Sequence, residues 1–233
     1  MLYLHETHRL RGTCEEQFER AYRDGWMARL GLDDQARLLW YLHQTHGTGR
    51  SYQVVTITGV RDGAAWQTLA DRVAAGDMRS WAHEVDTYRH DVESRLLLDV
   101  DFSPLEVELG EVSTDPGDRS PSLYMEDTMW PRRGMLDDYL RAAGSVYAGM
   151  LDAEDREIFL QIEAAFQTMP GAGRHPEVTL MQKVHDMDRL VWLLTNDIPE
   201  EMTRPGTWMH DALEYRNQWR SRLLRTATWS PLQ

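Results

Sequence analysis

Residues 81–105 read WAHEVDTYRHDVESRLLLDVDFSPL, and 127 positions later residues 208–232 read WMHDALEYRNQWRSRLLRTATWSPL. The two stretches align without a gap. Eleven of 25 positions are identical: Trp81/Trp208, His83/His210, Tyr88/Tyr215, Arg89/Arg216, Ser94/Ser221, Arg95/Arg222, Leu96/Leu223, Leu97/Leu224, Ser103/Ser230, Pro104/Pro231 and Leu105/Leu232. A repeat of this kind restricts the chain to architectures that exist in duplicate. It divides the 233 residues into a first unit, 1–105, a linker, 106–122, and a second unit, 123–233. Each unit is long enough to bury a core of its own.

Within the first unit Leu2 to Leu10 alternates like a half-buried strand. Thr13 to Glu16 has the form of a capping box, and a helix should follow with Cys14, Phe18, Ala21, Tyr22 and Gly25 on one stripe and Gly31 as its stop. Leu38–Thr45 and Tyr52–Val60 read as a hairpin around the glycines at 47 and 49. Helical spacing returns over 64–73 and again over 80–92, where Trp81, Val85, Tyr88 and Val92 share a stripe. A last strand covers Arg95–Phe102. The order is β-α-β-β-α-β, the ferredoxin-like split motif, so the fold class is α+β. The second unit echoes it: Leu123-Tyr124 repeats Leu2-Tyr3, and a hairpin joins Glu157–Ala165 to Glu177–His185. Residues 188–194 and 208–219 supply helices, and Leu223–Trp229 the last strand. The segment 106–122, acidic and rich in Gly, Pro and Ser, has no period.

The net charge of -13 argues against nucleic acid and anionic membrane surfaces as partners. Cys14 is the only cysteine, so no intrachain disulfide can form. His5, Glu6, His8 and Arg9 stand where a signal peptide needs an apolar run, and no apolar run spans a membrane. The expectation is a cytoplasmic protein. Nine Trp and twelve Met could line a pocket for a bulky apolar ligand or fill two small cores.

The shared tail, carried by Trp81, Tyr88, Arg89, Ser94, Arg95, Ser103, Pro104 and Leu105 and their copies, resembles the NIPSNAP family within the dimeric α/β-barrel superfamily. The resemblance implies two four-stranded sheets facing each other, helices outside, and here an intramolecular pseudo-dimer made by one chain. It also implies room for assembly into a homo-oligomer. Superfamily members include cofactor-free oxygenases, isomerases and cyclases acting on aromatic molecules, haem proteins, and members with no known reaction. Fold does not choose among these.

Alternation in the first strand turns Leu2 and Leu4 to the helices and Tyr3, His5 and Thr7 inward, with Tyr124, Glu126 and Thr128 as their copies. In the hairpins Trp40, Leu42, Gln44, Tyr52 and Thr56 of one unit are expected inward. In the other, Ile158, Leu160 and Ile162 should meet helices, and Phe159, Gln161 and Glu163 should face inward with Lys183 and His185. The expected acid, base or anchoring groups are His5, Glu126, Glu163 and His185. The expected walls of a substrate site are Tyr3, Trp40, Tyr52, Tyr124 and Lys183. Arg89 and Arg216 should pair with carboxylates of a neighbouring element. No spacing of His and Cys suits a metal, and no phosphate loop or nucleophile elbow occurs. Three readings stand. One is a cofactor-independent enzyme or enzyme-like binder of a hydrophobic or aromatic metabolite, abstracting a proton toward oxygenation, isomerisation or cyclisation. The second is a haem protein with His185 or His175 as axial ligand. The third is a non-catalytic interaction protein.

Overall fold

The computed structural model describes residues 1–151 and 159–233, without the side chains of 148–151. In chain order the elements are β1 (Leu2–Leu10), α1 (Glu15–Arg20), a π-helical turn (Ala21–Trp26), α2 (Met27–Leu30), β2 (Ala36–Gln44) and β3 (Gln53–Val60). They continue with α3 (Gly63–Ala74), α4 (Arg79–Tyr88) and β4 (Arg89–Asp99). The second copy holds β5 (Leu123–Pro131), α5 (Leu136–Leu151), β6 (Leu160–Thr168), β7 (Val178–Val184), α6 (Met187–Thr195), α7 (Glu200–Thr203), α8 (Trp208–Asp211) and β8 (Arg216–Thr226). The fold is α+β, and each copy has the ferredoxin-like strand order. The strands hydrogen-bond as β4-β1-β3-β2 in the first and β8-β5-β7-β6 in the second.

The chain forms two compact units. The first gathers Met1–Leu98, Glu106–Leu123 and Leu223–Gln233; the second gathers Asp99–Leu105 and Tyr124–Arg222. Each Ser-Pro-Leu tail therefore lies in the compact body of the other copy, and both tails use one device. In the first unit Ser230 Oγ accepts a hydrogen bond from the Tyr41 N–H at 3.1 Å, and the Ala227 N–H donates to the Tyr41 carbonyl at 3.0 Å. In the second, Ser103 Oγ accepts from the Ala165 N–H at 3.0 Å, and the Val100 N–H donates to the Ala165 carbonyl at 3.4 Å. Both acceptors sit just past a bulge, between Leu38 and Trp40 in β2 and between Ile162 and Ala164 in β6. A bulge leaves ladder groups unpaired, and in β2 the tail meets the bulged residue itself, the Leu232 N–H donating to the Leu39 carbonyl at 3.0 Å. The segment 106–122 also contributes to the first unit, burying Leu109 and Val112.

Alternation in β1 holds. Leu2 and Leu10 join the helix-side core with Phe18, Tyr22, Trp26, Trp81 and Val85, and Leu4 and Glu6 line a cavity on that face. Tyr3, His5 and Thr7 take the opposite face. In β3 the facing differs from expectation. Thr56 pairs with Glu6 and Thr58 with Leu4, so both threonines point to the helices, where Thr58 Oγ1 accepts from Trp26 Nε1 at 3.1 Å. The run from Val54 to Val60 is so rich in β-branched residues that it carries no readable alternation.

Two further elements depart from the sequence reading. The helix expected over 80–92 ends at Tyr88, and β4 starts at Arg89 because its backbone pairs with β1 along Leu10–Arg89, Arg9–Asp91 and His8–Val92. Val92 is thus a strand residue. Likewise the second-copy helix expected over 208–219 is confined to Trp208–Asp211, followed by a 3-10 turn and then β8. Thr13 forms no cap: its hydroxyl meets Cys14 Sγ at 3.7 Å, and the helix begins after a 3-10 turn.

Candidate functional site

The helix-facing row of β1 holds two polar residues, Glu6 and His8, among three leucines. They meet Arg89 and Ser94 of β4, Thr56 of β3 and Tyr22 of the π-helical turn. His8 is wholly buried, against Phe18 and Tyr22. Arg89 Nη1 lies 2.9 Å from His8 Nδ1. A guanidinium can only donate, so Nδ1 accepts and the ring proton resides on Nε2. Nε2 then donates to Thr56 Oγ1 at 3.0 Å, with Tyr22 Oη at 3.3 Å. Tyr22 Oη in turn donates to Glu6 Oε2 at 3.4 Å, and Ser94 Oγ donates to Glu6 Oε1 at 3.0 Å. Asp86 holds Arg89 from the other side, accepting from Nε at 2.9 Å and Nη2 at 2.5 Å.

This network closes one end of a cavity of about 270 Å³ between the sheet and α3 and α4. Its walls are largely apolar and aromatic, with Leu4, Trp26, Trp66, Leu69, Trp81 and Val85 among them. The π-helical turn sets two of its rings, Tyr22 and Trp26, and such turns recur at functional sites. Trp26 and Trp81 stack at 4.8 Å between centroids. Trp81 fits only because residue 25 is glycine: a Cβ there would come within 2.7 Å of the indole. Glu6 keeps 14 % of its side chain exposed and lines the cavity, while Ser94 is exposed on the β4 side.

Burial raises the Glu6 carboxyl above its ordinary range, opposed by Arg89, Ser94 and Tyr22. Burial, Arg89 and His5 together push His8 well below the usual imidazole range, so it is neutral. Burial and the Glu6 charge keep the Tyr22 phenol protonated. The cavity end thus presents one carboxylate of increased basicity, neutral donors and one cation.

The strand registers let the copies be compared at this face. Glu6 corresponds to Asp127, and Ser94 to Ser221, which bond to each other as their counterparts do. His8, however, corresponds to Met129 and Thr56 to Leu180. Among the described residues the second copy therefore has no imidazole in the place of His8.

The residues expected to form the site from sequence divide into three groups. His5 and Glu126 are both buried on the face away from the helices, each beside the arginine that the repeat places next to it. Arg95 Nε and Nη2 lie 3.4 Å from the His5 ring nitrogens; Arg222 reaches Glu126 Oε1 at 2.9 Å from Nε and 2.7 Å from Nη2. Tyr3, Trp40 and Tyr124 are buried, and Tyr124 stands opposite Lys183 in the β5–β7 ladder. Glu163 is the bulged residue of β6 and has no ladder partner; the β6 positions that match Trp40 and Leu42 are Ala164 and Phe166. Tyr52 and His185 are not brought to these groups. Tyr52 is 52 % exposed in the hairpin turn, with φ of 57° and its ring against Gly12. His185 is exposed beyond the end of β7, and His175 is exposed in the β6–β7 loop. Ile158 lies outside the described residues. Among the described residues no group of three or more His, Cys, Asp or Glu could hold a metal ion, and no helix is long and apolar enough to cross a membrane.

Glu6 and His8 were legible in principle. Two ionisable residues in the helix-facing row of a strand must be buried, and buried ionisable groups need partners.

No protein-family model matches the chain, and no curated protein does. Solved structures do. A monooxygenase candidate from Lactobacillus acidophilus NCFM is 7% identical over 96% of this chain and 93% of its own, with a TM-score of 0.59. An anthrone oxidase-like protein is 8% identical over 97% and 91%, with a TM-score of 0.57. A NIPSNAP domain protein from Burkholderia xenovorans is 22% identical over 45% of this chain and 99% of its own, with a TM-score of 0.37. The chain has the fold of the dimeric α/β-barrel proteins, as two tandem ferredoxin-like units, and NIPSNAP domain proteins are among the structures similar to it.

Proposed function

We propose that the first copy binds a compact aromatic or hydrophobic small molecule in the cavity beside Glu6, and that Glu6 takes a proton from it. The observation that carries this is a carboxylate of raised pKa exposed to an aromatic-walled cavity, with a guanidinium at the same end. About 270 Å³ is just below the usual range of ligand pockets, roughly 300–1,000 Å³, which suits one or two rings. Glu6 Oε accepts the proton of an acidic C–H or phenolic O–H. The electron pair left on the substrate faces Arg89, and the surrounding indoles keep that attraction unscreened. The anion then attacks molecular oxygen, is reprotonated elsewhere, or closes onto an electrophile of its own. None of these steps calls for an organic cofactor. The fold is one that a monooxygenase candidate and an anthrone oxidase-like protein also have, which supports the reading by analogy only.

This reading moves the base from His5 and Glu126 to Glu6. His5 and Glu126 are engaged by Arg95 and Arg222, and we assign those pairs to holding the sheet.

The test uses a panel of hydroxyaromatic probes of one and two rings, including 1-naphthol. Binding is read by tryptophan fluorescence and turnover by oxygen uptake and product analysis. Ala70→Phe, which fills the cavity, should abolish binding. Glu6→Gln should retain binding within a few-fold and lose turnover by about 100-fold or more, the scale of one general base. Wild-type turnover in Glu6→Gln, or unaltered binding in Ala70→Phe, would sink the proposal.

A further inference from the structure

In the first copy Arg89 is held from both sides, by Asp86 and by His8. The repeat keeps the arginine as Arg216 and removes both partners: Asp86 becomes Leu213 and His8 becomes Met129. Arg216 is nevertheless 9% exposed. Its Nε and Nη1 are buried and have no hydrogen-bond partner among the described residues; the buried Tyr139 hydroxyl faces the same guanidinium without a well-aligned hydrogen bond. The expectation that Arg216 pairs with a carboxylate of a neighbouring element is not met by a hydrogen bond. Asp127, the carboxylate that Arg216 faces, is engaged by Ser221 and by Gln182, whose Nε2 donates at 2.9 Å.

Leaving guanidinium N–H groups buried and unmet is costly, on the order of a few kcal/mol. The fold offers partial relief: the Arg216 guanidinium carbon lies 4.6 Å from the centroid of the Trp219 ring, which is 49% exposed. A planar cation beside a half-exposed indole and a phenol hydroxyl suits a planar anion, which the guanidinium and the hydroxyl can both hydrogen-bond and the indole can cover. Tyr139 and Trp208, with ring centroids 6.0 Å apart, extend the aromatic surroundings.

We propose that Arg216 and the Tyr139 hydroxyl form an anion site of the second copy, independent of the Glu6 cavity, that takes a small aromatic carboxylate. The carboxylate fills the place that Asp86 occupies in the first copy.

Titration calorimetry with sodium benzoate, sodium acetate and inorganic phosphate tests this in the Ala70→Phe background, which removes the first-copy cavity. Benzoate should bind at one site, more tightly than acetate or phosphate. Leu213→Asp restores the lost carboxylate within the chain. It should weaken benzoate at least about tenfold, the scale of one charge-assisted hydrogen bond, while raising the thermal midpoint. Arg216→Met should abolish binding; if that variant fails to fold, Leu213→Asp decides. No benzoate heat at about 10 mM, weaker than a specific site, overturns the proposal. So does benzoate affinity unchanged by Leu213→Asp, and so does phosphate binding more tightly than benzoate.

Discussion

Glu6 and His8 lie two residues apart on one strand, share one buried network and respond to burial in opposite senses. Glu6 has its pKa raised above the ordinary 4.5, mainly by desolvation. Its charged form is disfavoured in the folded state, so its contribution to stability is full below about pH 4.5 and is lost as pH rises through the raised value. His8 has its pKa lowered well below 6.5, again mainly by desolvation. Its contribution is present above pH 6.5 and is lost as pH falls through the lowered value. Denaturant titrations across pH should therefore show His8→Met, the second copy's own residue at that position, losing less stability on acidification than wild type. An acid limb as steep in His8→Met as in wild type would count against the buried neutral imidazole. Turnover has the opposite bias from stability: Glu6 works ionised, so activity should climb with pH through its raised pKa. Arg89→Gln, which removes the main opposing charge, should move that climb to higher pH, as read from the kcat/KM profile.

At the scale of elements, the bulges in β2 and β6 and the two tails form a matched pair of devices. Ser230 is fully buried, accepts from the Tyr41 N–H and donates to the Leu232 carbonyl at 2.9 Å. Ser230→Ala leaves a buried backbone donor unmet and should cost about 1–3 kcal/mol in chemical denaturation. An exposed serine would cost next to nothing, so a change below about 0.5 kcal/mol would refute the tail's role. The bulge has a second consequence. It moves Trp40 onto the face opposite Leu38, and in β6 it moves Glu163 out of the ladder. Alternation counted through either strand therefore fails at one step, and a one-residue slip reverses every later side chain. The expected facing of Trp40, Gln161 and Ile162 agrees with the structure, and only Glu163, at the bulge itself, departs from it.

For the molecule as a whole, the exchange of tails makes each copy depend on residues at a distant point in the chain. Trp229 packs in the first unit's core, its ring 4.8 Å from Tyr41 and its Nε1 donating to Glu19 at 2.7 Å. A chain ending at Thr226 lacks Trp229 and Ser230. It should lose about 3–5 kcal/mol from the first unit, the scale of deleting a buried tryptophan, and lose probe binding in the Glu6 cavity. Hydrogen exchange should show added opening in β1, β2 and α1 and little in β5 and β7. Equal protection in full-length and truncated chains would contradict this assignment of the tail.

The duplication, the β-α-β-β-α-β order and the facing of β1 could all be read from the chain, because they are written in local spacing: an offset of 127, runs of helical and strand period, and leucines at 2, 4 and 10 on one side of the first strand. The repeat also marked Arg89 and Ser94, though without saying what they hold. Three things were decided only by tertiary contacts. β4 begins at Arg89, against a helical pattern running to Val92, because its backbone finds partners in β1. The threonines of β3 turn to the helices because register with Glu6 and Leu4 sets their side. The cavity itself arises where α3, α4 and the π-helical turn meet the sheet, and no local pattern records which rings from distant segments will share one wall.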